Sequence, residues 1–128
     1  MRLLLDTHVL IWIVTGDDRL TEQVRALVED ESNVCYFSPV SIAEIALKHQ
    51  KHPEVVTFDG PAARRAFIAT GCQELEMKSD HVVAVSDMQP FHYDPIDRML
   101  LAQAKSEGIK IVSHDRQFPQ YGDFVIKA

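Results

Sequence analysis

The stretch RLLLDTHVLIWIV, Arg2 to Val14, sets a short apolar run against an aspartate and then a helical stripe. Arg2 to Leu5 suits a strand buried on both faces, because three consecutive leucines leave no polar side for solvent. From Thr7 to Val14 the residues Val9, Leu10, Ile13 and Val14 share one helical face, and Gly16 is placed as the cap. The same alternation recurs downstream. Thr21 caps a second helix with Val24, Leu27 and Val28 inward, and Val34 to Phe37 is a second strand. Ser38-Pro39-Val40-Ser41 turns into a helix through about Gln50, apolar at Ile42, Ile45 and Ala46, with Pro53 beyond its end. Gly60-Pro61 opens a helix to about Thr70, capped by Gly71. Gln73 to Met77 reads as a short strand and Ser79 to Asp87 as a short helix. Asp94-Pro95 opens the best-marked helix, which runs to Glu107 with Gly108 after it. Ile109 to Ser113 is a strand, and Val125 to Lys127 a last edge strand. Strands alternating with helices, without hairpin turns, predict an α/β fold: three layers, αβα, around a central, mostly parallel sheet.

The length of 128 residues fits one domain spanning residues 1–128, large enough to bury roughly two-thirds of its unfolded surface. Hydrophobic residues at 46% and charged residues at 25% match a globular chain and exclude disorder. No apolar run approaches the ~20 residues of a membrane span. The three leucines before Asp6 are too few for the apolar region of a signal peptide. Cys35 and Cys72 are expected as buried free thiols in a reducing, cytoplasmic compartment. A formal charge of -6 removes a broadly basic surface as a route to nucleic acid, so a polyanionic substrate would need a local basic lip or metal ions.

In an open parallel sheet, ligands bind beyond the carboxyl ends of the strands. Asp6 follows the first strand, Glu44 lies one turn into the helix after the second, and Asp115 follows the strand Ile109–Ser113. Asp97 lies in the first turn of the Pro95 helix. Each acid also has a purely structural explanation. Asp6 suits an N-cap, Ser41-Ile42-Ala43-Glu44 matches a capping box, Asp94-Pro95-Ile96-Asp97 has a similar form, and Asp115 could start a turn. Four caps have no reason, however, to share one edge of one sheet. If the carboxylates converge, each pair about 4 Å apart repels by roughly 4 kcal/mol at an effective dielectric of 20. Protonation, a cationic side chain or a divalent metal would relieve that repulsion. An all-oxygen ligand set suits Mg²⁺ or Mn²⁺ over zinc, and no Cys or His falls where a tetrahedral zinc set would need it. Magnesium in an acidic pocket suggests phosphoryl chemistry.

Four segments carry a resemblance: Leu3 to Trp12, Ser38 to Ile45, Asp94 to Ala104 and Ile111 to Phe118. In this order and spacing the chain resembles the PIN-domain ribonucleases, specifically the VapC-like toxins of type II toxin–antitoxin modules. The resemblance implies a Mg²⁺- or Mn²⁺-dependent endoribonuclease that leaves a 5′-phosphate and a 3′-hydroxyl. It implies Asp6 and Asp97 as principal metal ligands, with Glu44 and Asp115 completing the pocket directly or through water. Thr7 would orient the site through its hydroxyl, with Asp94 beside it. A cognate antitoxin that inserts an Arg or Lys into the pocket, and a homodimer formed through the first helices, are implied in the same way.

One departure stands out. Relatives often carry a basic segment with a glycine before a leucine after the glutamate helix, whereas Lys48-His49-Gln50-Lys51-His52-Pro53 has no glycine. Lys48 and Lys51 remain candidates for RNA contacts, as do Arg98 and Arg116, with Arg64-Arg65 further off. The same lysines also suit a solvated helix end. Trp12 falls off the inward stripe and is expected against a neighbouring helix or a dimer interface. Among other phosphohydrolases, the phosphoaspartate enzymes need a second acid where His8 stands. Receiver domains need a lysine where Asp115 stands. A PIN-fold binding module without turnover is the remaining alternative, although all four acids are present.

Overall fold

The computed structural model describes residues 1–92 and 94–128. Five strands, β1 (Arg2–Leu5), β2 (Val34–Phe37), β3 (Gln73–Glu74), β4 (Lys110–Ser113) and β5 (Val125–Lys127), form one sheet in the order β3-β2-β1-β4-β5. Every pairing is parallel. Six helices accompany them: α1 (Thr7–Thr15), α2 (Glu22–Glu29), α3 (Pro39–Lys51), α4 (Gly60–Ala69), α5 (Ser79–Val83) and α6 (Pro95–Glu107). Among the described residues no helix is long and apolar enough to cross a membrane.

The leucine run of β1 explains the layering. Leu3 and Leu5 face a core built from Val9, Leu10, Val24, Phe37 and Phe67, which places α1, α2 and α4 on that side. Leu4 faces the opposite core with Leu100, Leu101, Ala104, Ile111 and Phe118, the side of α6. Helix α3 serves both layers, sending Ile45 to the first and Val40 to the second. A strand with no solvent face must carry an unbroken apolar run, which is what residues 3–5 provide.

Caps fix where the helices begin and end. Asp6 accepts the Thr7 N–H at 2.6 Å, Thr21 accepts the Val24 N–H at 3.3 Å, and Asp94 accepts from Ile96 and Asp97. Gly16 and Gly108 end α1 and α6 at φ 65° and 64°, a left-handed conformation that costs glycine nothing. Four expectations need correction. The capping box at Ser41 does not form, because Pro39 takes the first helical position and Ser38 becomes the cap, accepting the Val40 N–H at 3.1 Å. β3 stops at Glu74 instead of reaching Met77, as the Gln103 amide takes the Leu75 and Glu76 carbonyls at 2.9 and 3.3 Å. Trp12 packs inside the protein: it is 4% exposed, edge-on to His114 at 5.0 Å with the Arg19 guanidinium 5.3 Å from its ring. The helix expected over Ser79 to Asp87 divides into α5 and a 3-10 turn, Ala84–Asp87.

The larger core should dominate stability. Phe67 is fully buried against Phe37, ring centroids 5.5 Å apart. Phe67→Ala is expected to destabilise the fold by about 3–5 kcal/mol, read from the urea midpoint at unchanged slope.

Candidate active site

β1 and β4 are neighbours, so their carboxyl ends open side by side at the point where strand order reverses direction. Asp6 sits at the first end and is 3% exposed. One of its oxygens, Oδ1, holds the Thr7 N–H; the other, Oδ2, accepts the Ser113 hydroxyl at 2.7 Å. Ser113 Oγ in turn accepts the Asp115 N–H at 3.0 Å, so one hydroxyl sets two acids. Burial raises the Asp6 carboxyl above its ordinary range, while Ser113, His8 and the Thr7 N–H favour the ion and Glu44 opposes it.

The α3 contribution arrives through a different bond. Thr7 Oγ1 donates to Ser41 Oγ at 2.9 Å, both groups buried, and ties the start of α1 to α3. The Thr7 hydroxyl is thus spent on Ser41. Glu44 lies one turn further along α3. Its Oε2 meets Lys48 Nζ at 2.7 Å, and its Oε1 is buried with no hydrogen-bond partner among the described residues. Such an oxygen is costly to leave empty, and a cation is the partner that satisfies it.

Asp97 enters from the first turn of α6, 18% exposed. Burial pushes its carboxyl up to about 7 from the ordinary 3.8, with Asp6, Asp94 and Glu44 adding like charge and His92 pulling the other way. Asp6 and Glu44 therefore act on Asp97 as charges, while the ligand atoms gathered around Asp97 within 4.8 Å among the described residues are those of His92 and Asp115. Asp115 joins through a histidine: His92 Nε2 lies 2.9 Å from Asp115 Oδ2 and 3.1 Å from Asp97 Oδ2. The Gln117 N–H holds the other Asp115 oxygen at 2.8 Å. Asp94 serves as the α6 cap and remains exposed.

The expectation that no histidine falls where a zinc set would need one meets an exception at His92. Its ligand atom and those of Asp97 and Asp115 lie within 4.8 Å of one another. Nothing in the short sequence Phe91-His92 marks it, because its partners are brought in by β4 and α6. Ser113 and Ser41 were missed for the same reason. Ser113 at least carries a signal, a hydroxyl closing the strand directly after the apolar pair Ile111 and Val112.

The basic candidates divide. Lys48 is engaged with Glu44. The Arg98 guanidinium is directed at the backbone carbonyls of His92 at 3.0 Å and of Gln89 and Val85 at 3.5 Å, away from open solvent. Lys51 and Arg116 are exposed. A cavity of about 300 Å³, lined by His8, Trp12, Arg19, His114 and Asp115, opens beside the acids.

The donor set fits a hard divalent cation: several carboxylates, one with an orphaned oxygen, around a carboxyl that resists ionising. Asp97 is common to the charge cluster with Asp6 and Glu44 and to the group His92, Asp97 and Asp115, whose ligand atoms lie within 4.8 Å of one another. The PIN domain family model matches residues 3–123. No curated protein matches the sequence. By shape, the chain is similar to VapBC2 from Rickettsia felis bound to a DNA fragment from its promoter, TM-score 0.72 at 12% identity, covering 100% of this chain and 98% of that one. It is also similar to a toxin–antitoxin complex from Klebsiella pneumoniae, TM-score 0.68 at 16% identity, over 98% and 96% of the two chains. FitAcB from Neisseria gonorrhoeae aligns at TM-score 0.59 and 17% identity, with the same coverage.

Repulsion at Asp97 has a thermodynamic signature. A carboxyl whose folded value is raised imposes no penalty below pH 4, and the penalty grows as pH climbs to about 7. After allowance for solvent screening it amounts to about 2 kcal/mol. Asp97→Asn should therefore raise the melting temperature in EDTA at pH 7.5, with the gain vanishing near pH 4. Calorimetry across that range checks it; a fall in melting temperature at pH 7.5 would mean that Asp97 acts as a structural cap.

Proposed function

The chain belongs to the PIN domain family, and we propose that it is a divalent-metal-dependent endoribonuclease, the toxin of a toxin–antitoxin pair. The buried, unpartnered Glu44 Oε1 beside Asp6 and Asp97 carries the reading, because a protein surface gains nothing from such an oxygen unless a cation fills the place. A bound Mg²⁺ or Mn²⁺ would supply a water of lowered pKa and positive charge for the scissile phosphate.

The chain's own residues do the rest. Asp6 is held in one rotamer by the Ser113 hydroxyl and the Thr7 N–H, so its direction is set before anything binds. Asp97 is held by the α6 cap, and Glu44 by the turn that follows Ser41. Asp115, fixed by Gln117 and His92, is placed to orient an attacking water. Attack on phosphorus with departure of the 3′ oxygen gives a 5′-phosphate and a 3′-hydroxyl. The strand itself would approach over the cavity beside Asp115, where Arg19, His8 and His114 offer cationic and hydrogen-bonding groups within an otherwise acidic surface. Similarity in shape to VapBC2 and to the Klebsiella pneumoniae toxin–antitoxin complex supports a protein partner. That antitoxin would present an Arg or Lys to the Glu44 oxygen, filling the place a metal takes. A homodimer acting in the cytoplasm completes the proposal.

Incubation of end-labelled RNA with Mn²⁺ provides the test. Wild type should cut and leave 5′-phosphate ends, and EDTA should abolish cutting. Asp6→Asn should lose more than about 100-fold, beyond the loss typical for an outer partner of a metal ligand. Equal rates in the two proteins would refute the site.

A further inference from the structure

We propose that His92 is a positioning residue of this centre: its Nε2 donates to Asp115 and stands 3.1 Å from Asp97, and the ring sets their spacing and is not itself a metal ligand. The inference rests on the metal-dependent reading above.

The hydrogen bonds decide which ring nitrogen carries the proton. The Asp94 N–H points at His92 Nδ1 at 3.1 Å, so Nδ1 is the acceptor and bears no hydrogen. The proton then sits on Nε2, facing the two carboxylate oxygens at 2.9 and 3.1 Å. A metal ligand would need a free electron pair at Nε2, with the hydrogen on Nδ1 directed into the Asp94 N–H. That arrangement sets two donors against each other.

The ring is also anchored against turning. The His92 N–H donates to the Tyr121 hydroxyl at 2.9 Å, and the His92 carbonyl accepts from Arg98 at 3.0 Å. Its ring stands edge-on to Phe118, centroids 5.9 Å apart at 76°. Turning it over would withdraw the donor from Asp115 and strand the Asp94 N–H. Arg98, first considered for RNA, thus acts on the site through His92. Asp115 then has a donor on each oxygen, Gln117 and His92, whereas Glu44 Oε1 has none. The open acceptor lies on the α3 side, and an all-oxygen seat there favours Mg²⁺ or Mn²⁺ over zinc.

Titration with Mn²⁺, followed by the EPR signal of the free ion, reads this without any substrate. His92→Ala should weaken Mn²⁺ binding by about 10–100-fold, the usual cost of losing a group that orients a ligand. His92→Gln, whose amide can donate to the same carboxylates, should recover most of the affinity. Pulsed EPR of Mn²⁺-loaded wild type should show no directly bound nitrogen, a measurement that needs no variant to fold. Unchanged affinity in His92→Ala, a directly bound imidazole nitrogen, or a wild type that takes up no Mn²⁺ would each overturn the assignment. RNA cleavage by the same preparations reports separately. Wild type that holds Mn²⁺ in this pattern without cutting RNA would sink the nuclease reading and leave the role of His92 standing. Cleavage with His92→Ala affinity unchanged would do the reverse.

Discussion

Like charge crowded at the mouth of a parallel sheet is the constraint around which this protein is arranged. Asp6, Glu44 and Asp97 lie within one another's field, and their mutual repulsion opposes folding. What holds them is the burial beneath. Leu3, Leu4 and Leu5 are each fully enclosed, at roughly 1.5–3 kcal/mol apiece, and they deliver Asp6 to its position whatever that position costs. Short hydrogen bonds from Ser113 and the Thr7 N–H then direct the Asp6 carboxylate without neutralising it, and the Asp97 N–H donates to the Asp94 cap. Such a site is stable enough to exist and unsatisfied enough to bind.

Two side chains moderate the charge from opposite flanks. Lys48 lies one turn beyond Glu44 on α3 and takes its outer oxygen, while His92 links Asp97 to Asp115. Neither reaches the inner oxygen of Glu44. Lys48 and His92 therefore compensate the rim and leave the centre open. This is how an acidic domain can tolerate its centre with one inner oxygen left open.

Much of the fold was legible because its signals are local. A run of three leucines needs two apolar layers, Asp94-Pro95 announces a helix start, and Gly16 and Gly108 mark helix ends within a residue of the sequence reading. The acids were legible for a related reason, each lying next to an element boundary. What failed was pairing across distance. Ser41 looked like a cap because a glutamate followed three residues on, but Pro39 had already settled the helix start, leaving Ser41 for Thr7. His92 lies 23 residues from Asp115, and no spacing rule connects them. Trp12 seemed outward on the helical stripe alone, since the covering His114 comes from the end of β4.

The sheet's borders have a bearing on how the molecule can meet another. The strands at its two margins span only two and three residues, and the Gln103 amide occupies the carbonyls just past the shorter one. Few main-chain groups are left there to template an added strand. Association with a second polypeptide would accordingly have to proceed through helical side-chain surfaces, where recognition depends on shape and charge and can be selective for one companion.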